Sequence, residues 1–106
     1  MASETLARTY ARGRMFFELK DYIEAARALA QVVAEAPGDV AARLLLARAY
    51  YHSAQLGRAE AELREVLARD PGEAYAYLLL GRTLERRSRP REAAPYLRLH
   101  AAMTGT

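Results

Sequence analysis

The chain repeats itself with a period of 34 residues, and this period constrains the fold more than any other feature of the sequence. Two Pro-Gly pairs, Pro37-Gly38 and Pro71-Gly72, lie 34 residues apart. Under the same shift, small residues align with small residues and large apolar residues with large apolar residues. The aligned sets are Gly13, Ala47 and Gly81; Phe16, Tyr50 and Leu84; Ala25, Ala59 and Ala93; and Leu29, Leu63 and Leu97. Three copies of one structural unit therefore follow one another.

The spacing of helix breakers predicts two helices in each copy, and so an all-α protein. Helix-favouring Ala, Leu, Arg and Glu are abundant, whereas β-branched residues and glycine are few. The helices are predicted near residues 3–18, 22–35, 40–53, 56–69, 74–87 and 90–103. Ser3, Asp21 and Asp39 are predicted N-caps, because their side-chain oxygens can accept hydrogen bonds from the first backbone amides. Pro95 is expected inside the last helix.

The composition limits the class of protein and its chemistry. With 106 residues, 52% of them hydrophobic and 27% charged, the chain is predicted to be one ordered domain spanning residues 1–106. The absence of cysteine excludes disulfides, zinc–thiolate sites and thiol catalysis. No apolar run is long enough to span a membrane, and no secretion signal begins the sequence, so a cytoplasmic location is expected. The net charge of +3 does not by itself indicate a polyanionic partner.

The repeated positions resemble the tetratricopeptide repeat (TPR), whose signature is W-x2-L-G-x2-Y, then A-x3-F, then P, with a 34-residue period. The middle copy departs from the signature at the first position, where Arg43 replaces Trp. Its other signature positions hold Leu46, Ala47, Tyr50, Ala59, Leu63 and Pro71. The third copy holds Tyr77, Leu80, Gly81, Leu84, Ala93 and Leu97. The first copy departs at Thr9 and Arg12, which suits a terminal helix with one uncovered face.

This resemblance implies a right-handed superhelix, or α-solenoid, built from three antiparallel helix pairs with six helices in all. The three repeats would cover approximately residues 6–39, 40–73 and 74–106. The resemblance also implies a non-enzymatic interaction module that binds a peptide or a segment of a partner protein. The binding surface of such a module is a concave groove lined by the first helix of each pair.

Helical periodicity indicates which residues would line this groove. In the middle copy, Leu44, Arg48 and Tyr51 share one side of the helix, at i, i+4 and i+7. The same offsets in the neighbouring copies give Tyr10, Arg14, Phe17, Leu78, Arg82 and Glu85. Tyr75 extends this strip toward the start of its helix, and His52 and Arg86 flank it.

Arg14, Arg48 and Arg82 are in phase, one in each copy, so stacked repeats would form an arginine ladder. A guanidinium group binds a carboxylate through two parallel hydrogen bonds and stacks on aromatic rings. The sequence therefore favours a partner segment that carries acidic side chains or a C-terminal carboxylate. The alternative is that each arginine pairs within the protein, for instance with Glu18 or Glu85. An Asn-and-Lys clamp like that of some co-chaperone TPR domains is excluded, because the chain has no Asn.

The last helix is predicted to be apolar on more than one side. Its large apolar residues are Tyr96, Leu97, Leu99 and Met103. An exposed apolar surface commonly marks an association site. The alternative function is therefore a self-assembling structural unit, in which two copies form a homodimer through the third repeat. A plainer interpretation is that these residues fold back onto the third repeat.

A weaker alternative is anion or RNA binding by the arginines between Arg82 and Arg91. The five arginines of this cluster are Arg82, Arg86, Arg87, Arg89 and Arg91. Clustered cations favour a polyanion by releasing its counterions. The same pattern is typical of a solvated turn after a helix C-terminus, where cations are favourable. Nucleic acid is therefore an unexpected partner.

The sequence predicts no catalytic residue, no metal site and no cofactor. The two histidines, His52 and His100, lie far apart in the chain. No Ser–His–Asp order, no pair of histidines at metal-ligand spacing and no Gly-rich phosphate loop is present. The expected partner is a protein or a peptide, with no membrane contact.

Overall fold

A computed structural model describes residues 2–105 of the chain, with side chains from Thr5 onward. Six α-helices make up the described residues, with no strand among them. They are α1 (Ala2–Glu18), α2 (Tyr22–Glu35), α3 (Val40–His52), α4 (Leu56–Arg69), α5 (Ala74–Arg86) and α6 (Pro90–Thr104). All six predicted helices are confirmed, and each boundary lies within one residue of its predicted position.

Successive helices pack against each other as antiparallel pairs and form an elongated helical solenoid of 45 × 24 × 20 Å. The Pro-Gly turns at 37–38 and 71–72 separate one pair from the next. Because neighbouring helices alternate in direction, the first helices of the three pairs (α1, α3 and α5) run parallel to one another. Residues at equivalent positions of these helices therefore lie at the same end of the molecule.

Each pair is closed by a turn with the same backbone conformation. Lys20, Ala54 and Ser88, spaced 34 residues apart, have φ values of 62°, 59° and 61°. The next residue in each turn donates its amide to the carbonyl five residues earlier. These hydrogen bonds are Asp21 to Phe16 (2.9 Å), Gln55 to Tyr50 (2.8 Å) and Arg89 to Leu84 (2.9 Å). The left-handed conformation costs a residue other than glycine about 1–2 kcal/mol. The hydrogen bonds and packing of each repeat therefore compensate for a strained residue in its turn.

Small residues allow the two helices of a pair to approach closely. A Cβ atom placed on Gly13 would lie 2.8 Å from Leu29 Cγ, and one placed on Gly81 would lie 2.6 Å from Leu97 Cγ. Leu29 fills the space between α1 and α2, as Leu97 does between α5 and α6. The small-against-large packing that the 34-residue alignment predicts is thus confirmed.

Side-chain caps begin two of the helices as predicted. Asp21 accepts a hydrogen bond from the Glu24 amide (3.2 Å), and Asp39 accepts one from the Ala42 amide (3.0 Å). The predicted cap Ser3 lies outside the side chains that the structure describes. Pro95 lies inside α6, as expected.

Arg43, which stands at the signature position usually held by Trp, is buried with 8% of its area exposed. Its guanidinium donates to Glu62 on α4 (3.0 Å) and to the Pro37 carbonyl (3.0 Å). These bonds connect α3 both to its partner helix and to the turn before it. Arg43 therefore fills the place of a large aromatic residue with a paired charge.

Candidate functional site

Helices α1 and α3 and the turn before α5 enclose an open cavity of about 590 Å³ on one face of the solenoid. Five of the residues predicted for the groove line it, namely Tyr10, Arg14, Phe17, Leu44 and Arg48. The other lining residues are Glu18, Val40, Ala41, Leu45, Asp70 and Glu73. We refer to this cavity as the concave groove. Its floor is largely apolar and its wall carries charges of both signs.

Arg48 is the central charge of the concave groove. Its guanidinium carbon lies 4.8 Å from the centre of the Phe17 ring and 5.5 Å from that of Tyr75. The two rings come from α1 and α5, so side chains of all three repeats meet at this point. Arg48 Nε is buried without a hydrogen-bond partner, and no carboxylate of the described residues lies within ion-pair distance of the guanidinium. The aromatic contacts orient the cation and leave its charge unpaired.

The other two arginines of the predicted ladder have partners within the protein. Arg14 lies 3.8 Å from Glu18, and Arg82 donates to Glu85 at 3.0 Å. Both pairs are exposed, and exposed ion pairs contribute only about 0–1 kcal/mol to stability, so a ligand can displace them. Arg82 is not among the residues that line the cavity, and neither is Leu78, which is half-buried on α5. The three arginines are therefore not equivalent. Arg14 and Arg82 pair with carboxylates of the protein, which is the alternative that the sequence left open, and Arg48 does not.

His52 and Arg86 lie at the ends of α3 and α5, beside a cluster of aromatic rings. The His52 ring stacks on Tyr22 with centres 4.6 Å apart, and meets Tyr51 edge to face at 5.6 Å. Burial lowers the pKa of His52, and the charges of Arg48 and Arg86 lower it further. Arg86 lies 4.7 Å from the Tyr51 ring centre and donates to the Tyr51 carbonyl at 3.1 Å. Tyr51 is half-buried by these contacts.

Asp70 and Glu73 are groove residues that sequence reasoning missed. Both lie in the turn that follows α4 and precedes α5. Asp70 Oδ1 accepts from the Gly72 amide (3.1 Å), and Glu73 Oε1 accepts from the Tyr75 amide (3.3 Å). Such acids resemble ordinary helix caps in the sequence, and the helical offsets that selected the groove residues do not extend into a turn. Only the packing of α4 against α3 brings them to the cavity.

The apolar residues of α6 divide into two groups. Leu99 and Met103 are exposed, with 45% and 43% of their area accessible. Leu97 instead packs on Gly81 within the helix pair. The Tyr96 hydroxyl accepts from Arg64 at 2.9 Å, so this residue takes part in packing between α4 and α6. The predicted association surface is therefore smaller than the sequence suggested, because two of its four residues serve the fold.

The arginine cluster around the last turn is mostly engaged within the protein. Arg87 donates to Glu60 at 2.8 Å, and Arg89 donates to Glu60 at 2.7 Å and to Glu92. Of the five arginines, Arg91 alone lacks a partner among the described residues. Neither the polyanion site nor the solvated turn that the sequence suggested includes these ion pairs, which use carboxylates of the protein to bind Arg87 and Arg89.

The fold and its groove define a class of helical-repeat proteins that present a concave surface built from tandem helix pairs. The sequence profile of the tetratricopeptide repeat matches residues 16–83. The chain belongs to the tetratricopeptide repeat family. No curated relative is similar enough in sequence to this chain to match it.

Several solved structures are similar to this chain over most of its length. MamA residues 41-end from Desulfovibrio magneticus RS-1 is 28% identical, with a TM-score of 0.84 over 91% of this chain and 54% of that chain. MamA AMB-1 is 18% identical, with a TM-score of 0.92 over 98% of this chain and 62% of that one. The TPR2B domain of yeast Sti1, in a complex with pHsp70, is 18% identical, with a TM-score of 0.85 over 92% and 78%. The chain thus spans little more than half of the Desulfovibrio protein's structure.

Within the described part of the chain, no helix combines the length and the apolar character that crossing a lipid bilayer requires.

Proposed function

We propose that this protein is a non-enzymatic interaction module that binds a segment of a partner protein in the concave groove, and that Arg48 binds a carboxylate of that segment. Membership of the TPR family supports the general role. The Sti1 domain of similar fold, in its complex with pHsp70, supports a groove that receives another chain. The observation that carries the proposal is the unpaired Arg48 guanidinium held between Phe17 and Tyr75.

The position of Arg48 makes it a favourable binding group for three physical reasons. The two rings restrict its rotamers, so little side-chain entropy is lost when a ligand binds. Partial burial removes water that would otherwise compete for the guanidinium. A carboxylate can then form charge-assisted hydrogen bonds, which contribute about 1.5–3 kcal/mol each when one partner is charged. The apolar floor formed by Val40, Leu44 and Leu45 offers contact area for neighbouring side chains of the ligand.

A displayed library of random dodecapeptides, captured on the immobilised protein, tests the proposal. The captured peptides are then measured in solution against wild type, Arg48→Gln and the matched control Arg91→Gln. Arg91 lies outside the groove and has no partner within the part of the chain that the structure describes, so the control removes the same charge elsewhere. We expect Arg48→Gln to weaken binding by about 10- to 100-fold, which corresponds to the loss of one such charge-assisted hydrogen bond. Equal affinities for the two variants would refute the role of Arg48.

Self-association is a second candidate function, supported by the exposed Leu99 and Met103 on α6. These two side chains would be covered if two copies met through their third repeats. Sedimentation at micromolar concentrations tests this possibility with Leu99→Glu and the control Met15→Glu, because Met15 is as exposed on α1 (46%). We expect only the substitution on α6 to dissociate the dimer. A wild-type protein that stays monomeric at these concentrations would exclude this function.

A further inference from the structure

The concave groove is lined by charges of both signs. The Arg48 guanidinium carbon lies 4.8 Å from the centre of the Phe17 ring and 5.5 Å from that of Tyr75, which is the second residue of α5. The turn before α5 places Asp70 and Glu73 on the wall of the same cavity. Arg14 and Glu18, which also line the cavity, form a pair and largely cancel each other's charge.

The carboxylates of Asp70 and Glu73 keep most of their binding capacity. Each accepts one hydrogen bond from a backbone amide, with the second oxygen left over. An ionised carboxylate has about four acceptor positions on its two oxygens. Neither group lies within ion-pair distance of a cation among the described residues. Two unpaired negative charges therefore border the same cavity as the unpaired Arg48.

Arg48, Asp70 and Glu73 border one cavity of about 590 Å³. Glu73 immediately precedes α5, and Tyr75, whose ring contacts the Arg48 guanidinium, lies two residues later. A short segment of a partner chain that enters this cavity can therefore contact charges of both signs.

We propose that the groove selects a segment of mixed charge, in which a basic side chain reaches Asp70 and Glu73 while a nearby acidic side chain reaches Arg48. This inference rests on the proposed function of the groove and narrows its ligand class. A purely acidic segment would bring like charge to Asp70 and Glu73. A purely basic segment would do the same at Arg48. Only a segment that carries both charges close together satisfies both groups at once.

The test uses the tightest peptide captured in the display experiment, synthesised with an acetylated N-terminus and an amidated C-terminus. Its affinity is measured for wild type, for the double variant Asp70→Asn with Glu73→Gln, and for the control Glu35→Gln. The amides in the double variant keep an oxygen for the two backbone hydrogen bonds and remove only the charge. Glu35 is an exposed carboxylate at the end of α2, outside the groove. Circular dichroism establishes that each variant is folded.

We expect the double variant to bind this peptide about five- to tenfold more weakly, and Glu35→Gln to bind it unchanged. Replacing the basic residue of the peptide by Gln should produce the same loss with wild type and no further loss with the double variant. Inserting three glycines between the two charged residues of the peptide should also weaken binding, because one of the two charges is then carried beyond the cavity.

The outcomes separate this inference from the proposed function. If Arg48→Gln weakens binding while the double variant stays within twofold of wild type, the mixed-charge selection is wrong and the groove remains a binding site. Independent, additive losses from the two substitutions would also overturn it, because the basic residue would then contact something else. If Arg48→Gln has no effect, or no peptide is captured at all, both proposals fail.

Discussion

Glu60, near the start of α4, holds together three arginines from two parts of the chain. Its carboxylate accepts from Arg64 Nε at 3.0 Å, from Arg87 at 2.8 Å and from Arg89 at 2.7 Å. Arg87 and Arg89 lie in the turn between α5 and α6, so the carboxylate ties the second helix pair to the third. Only 12% of the Glu60 side chain is exposed. We predict that Glu60→Gln destabilises the fold by about 2–3 kcal/mol.

The magnitude follows from the burial of the four side chains. Removing one partner of a fully buried charge pair costs about 3–5 kcal/mol. The arginines here keep 42%, 38% and 32% of their side-chain area exposed, so water can replace part of the lost interaction. The amide of Gln offers one oxygen and directs its NH2 group toward guanidinium donors. The predicted loss of folding free energy is therefore smaller than for a fully buried ion pair and larger than for a surface ion pair.

Urea unfolding followed by helical circular dichroism measures the effect, and its pH dependence checks the cause. Burial raises the pKa of the Glu60 carboxyl, but hydrogen bonds from Arg64 and Arg89 lower it more, so the pKa lies below its ordinary value of 4.5. A lowered pKa in the folded state means that the ionised carboxylate contributes stability above about pH 4.5. The difference between wild type and Glu60→Gln should shrink as the pH falls below that value.

The control is Glu65→Gln on the same helix, whose pair with Arg69 is exposed. This substitution should change the free energy of unfolding by about 0.5 kcal/mol or less. If Glu60→Gln is as stable as Glu65→Gln at neutral pH, Glu60 does not connect the second and third helix pairs as we describe.

Two further predictions concern a turn and the groove. Ala54→Gly should raise the free energy of unfolding by about 0.5–1 kcal/mol, because glycine adopts a positive φ without strain; the same substitution at the exposed helical Ala61 should lower it by a similar amount. Urea unfolding of both variants checks this, and destabilisation by Ala54→Gly would contradict it. Arg48→Gln should raise the pKa of His52 toward 6.5, since the charge of Arg48 is one cause of its lowering. An NMR titration of the His52 ring measures this change, and an unaltered midpoint would show that Arg48 does not contribute to the lowered pKa.

The fold could be predicted because the signals that specify it are local and repeated. Each helix boundary is marked by a Pro-Gly pair, a capping aspartate or a change in periodicity, and the 34-residue alignment makes each copy a check on the others. The left-handed turns could not be predicted in the same way. Lys20, Ala54 and Ser88 are chemically unlike, and none is the glycine that usually marks this conformation. The backbone hydrogen bonds of the helix pair impose the conformation there, whatever the residue.

The groove was less predictable, because its charge depends on which side chains find partners. The offset that aligns Arg14, Arg48 and Arg82 is a property of the helices, and only Arg14 and Arg48 of the three line the cavity. Their partners depend on residues three or four positions away, and only Arg48 lacks an acid at that spacing. The position of a residue in a helix thus predicts where its charge lies. Whether that charge is free to bind a ligand depends on the residues three or four positions away, which can pair with it. Asp70 illustrates the same point, because it lies in a turn, outside the spacing at which residues of one helix pair, and no cation of the described residues lies within ion-pair distance of it.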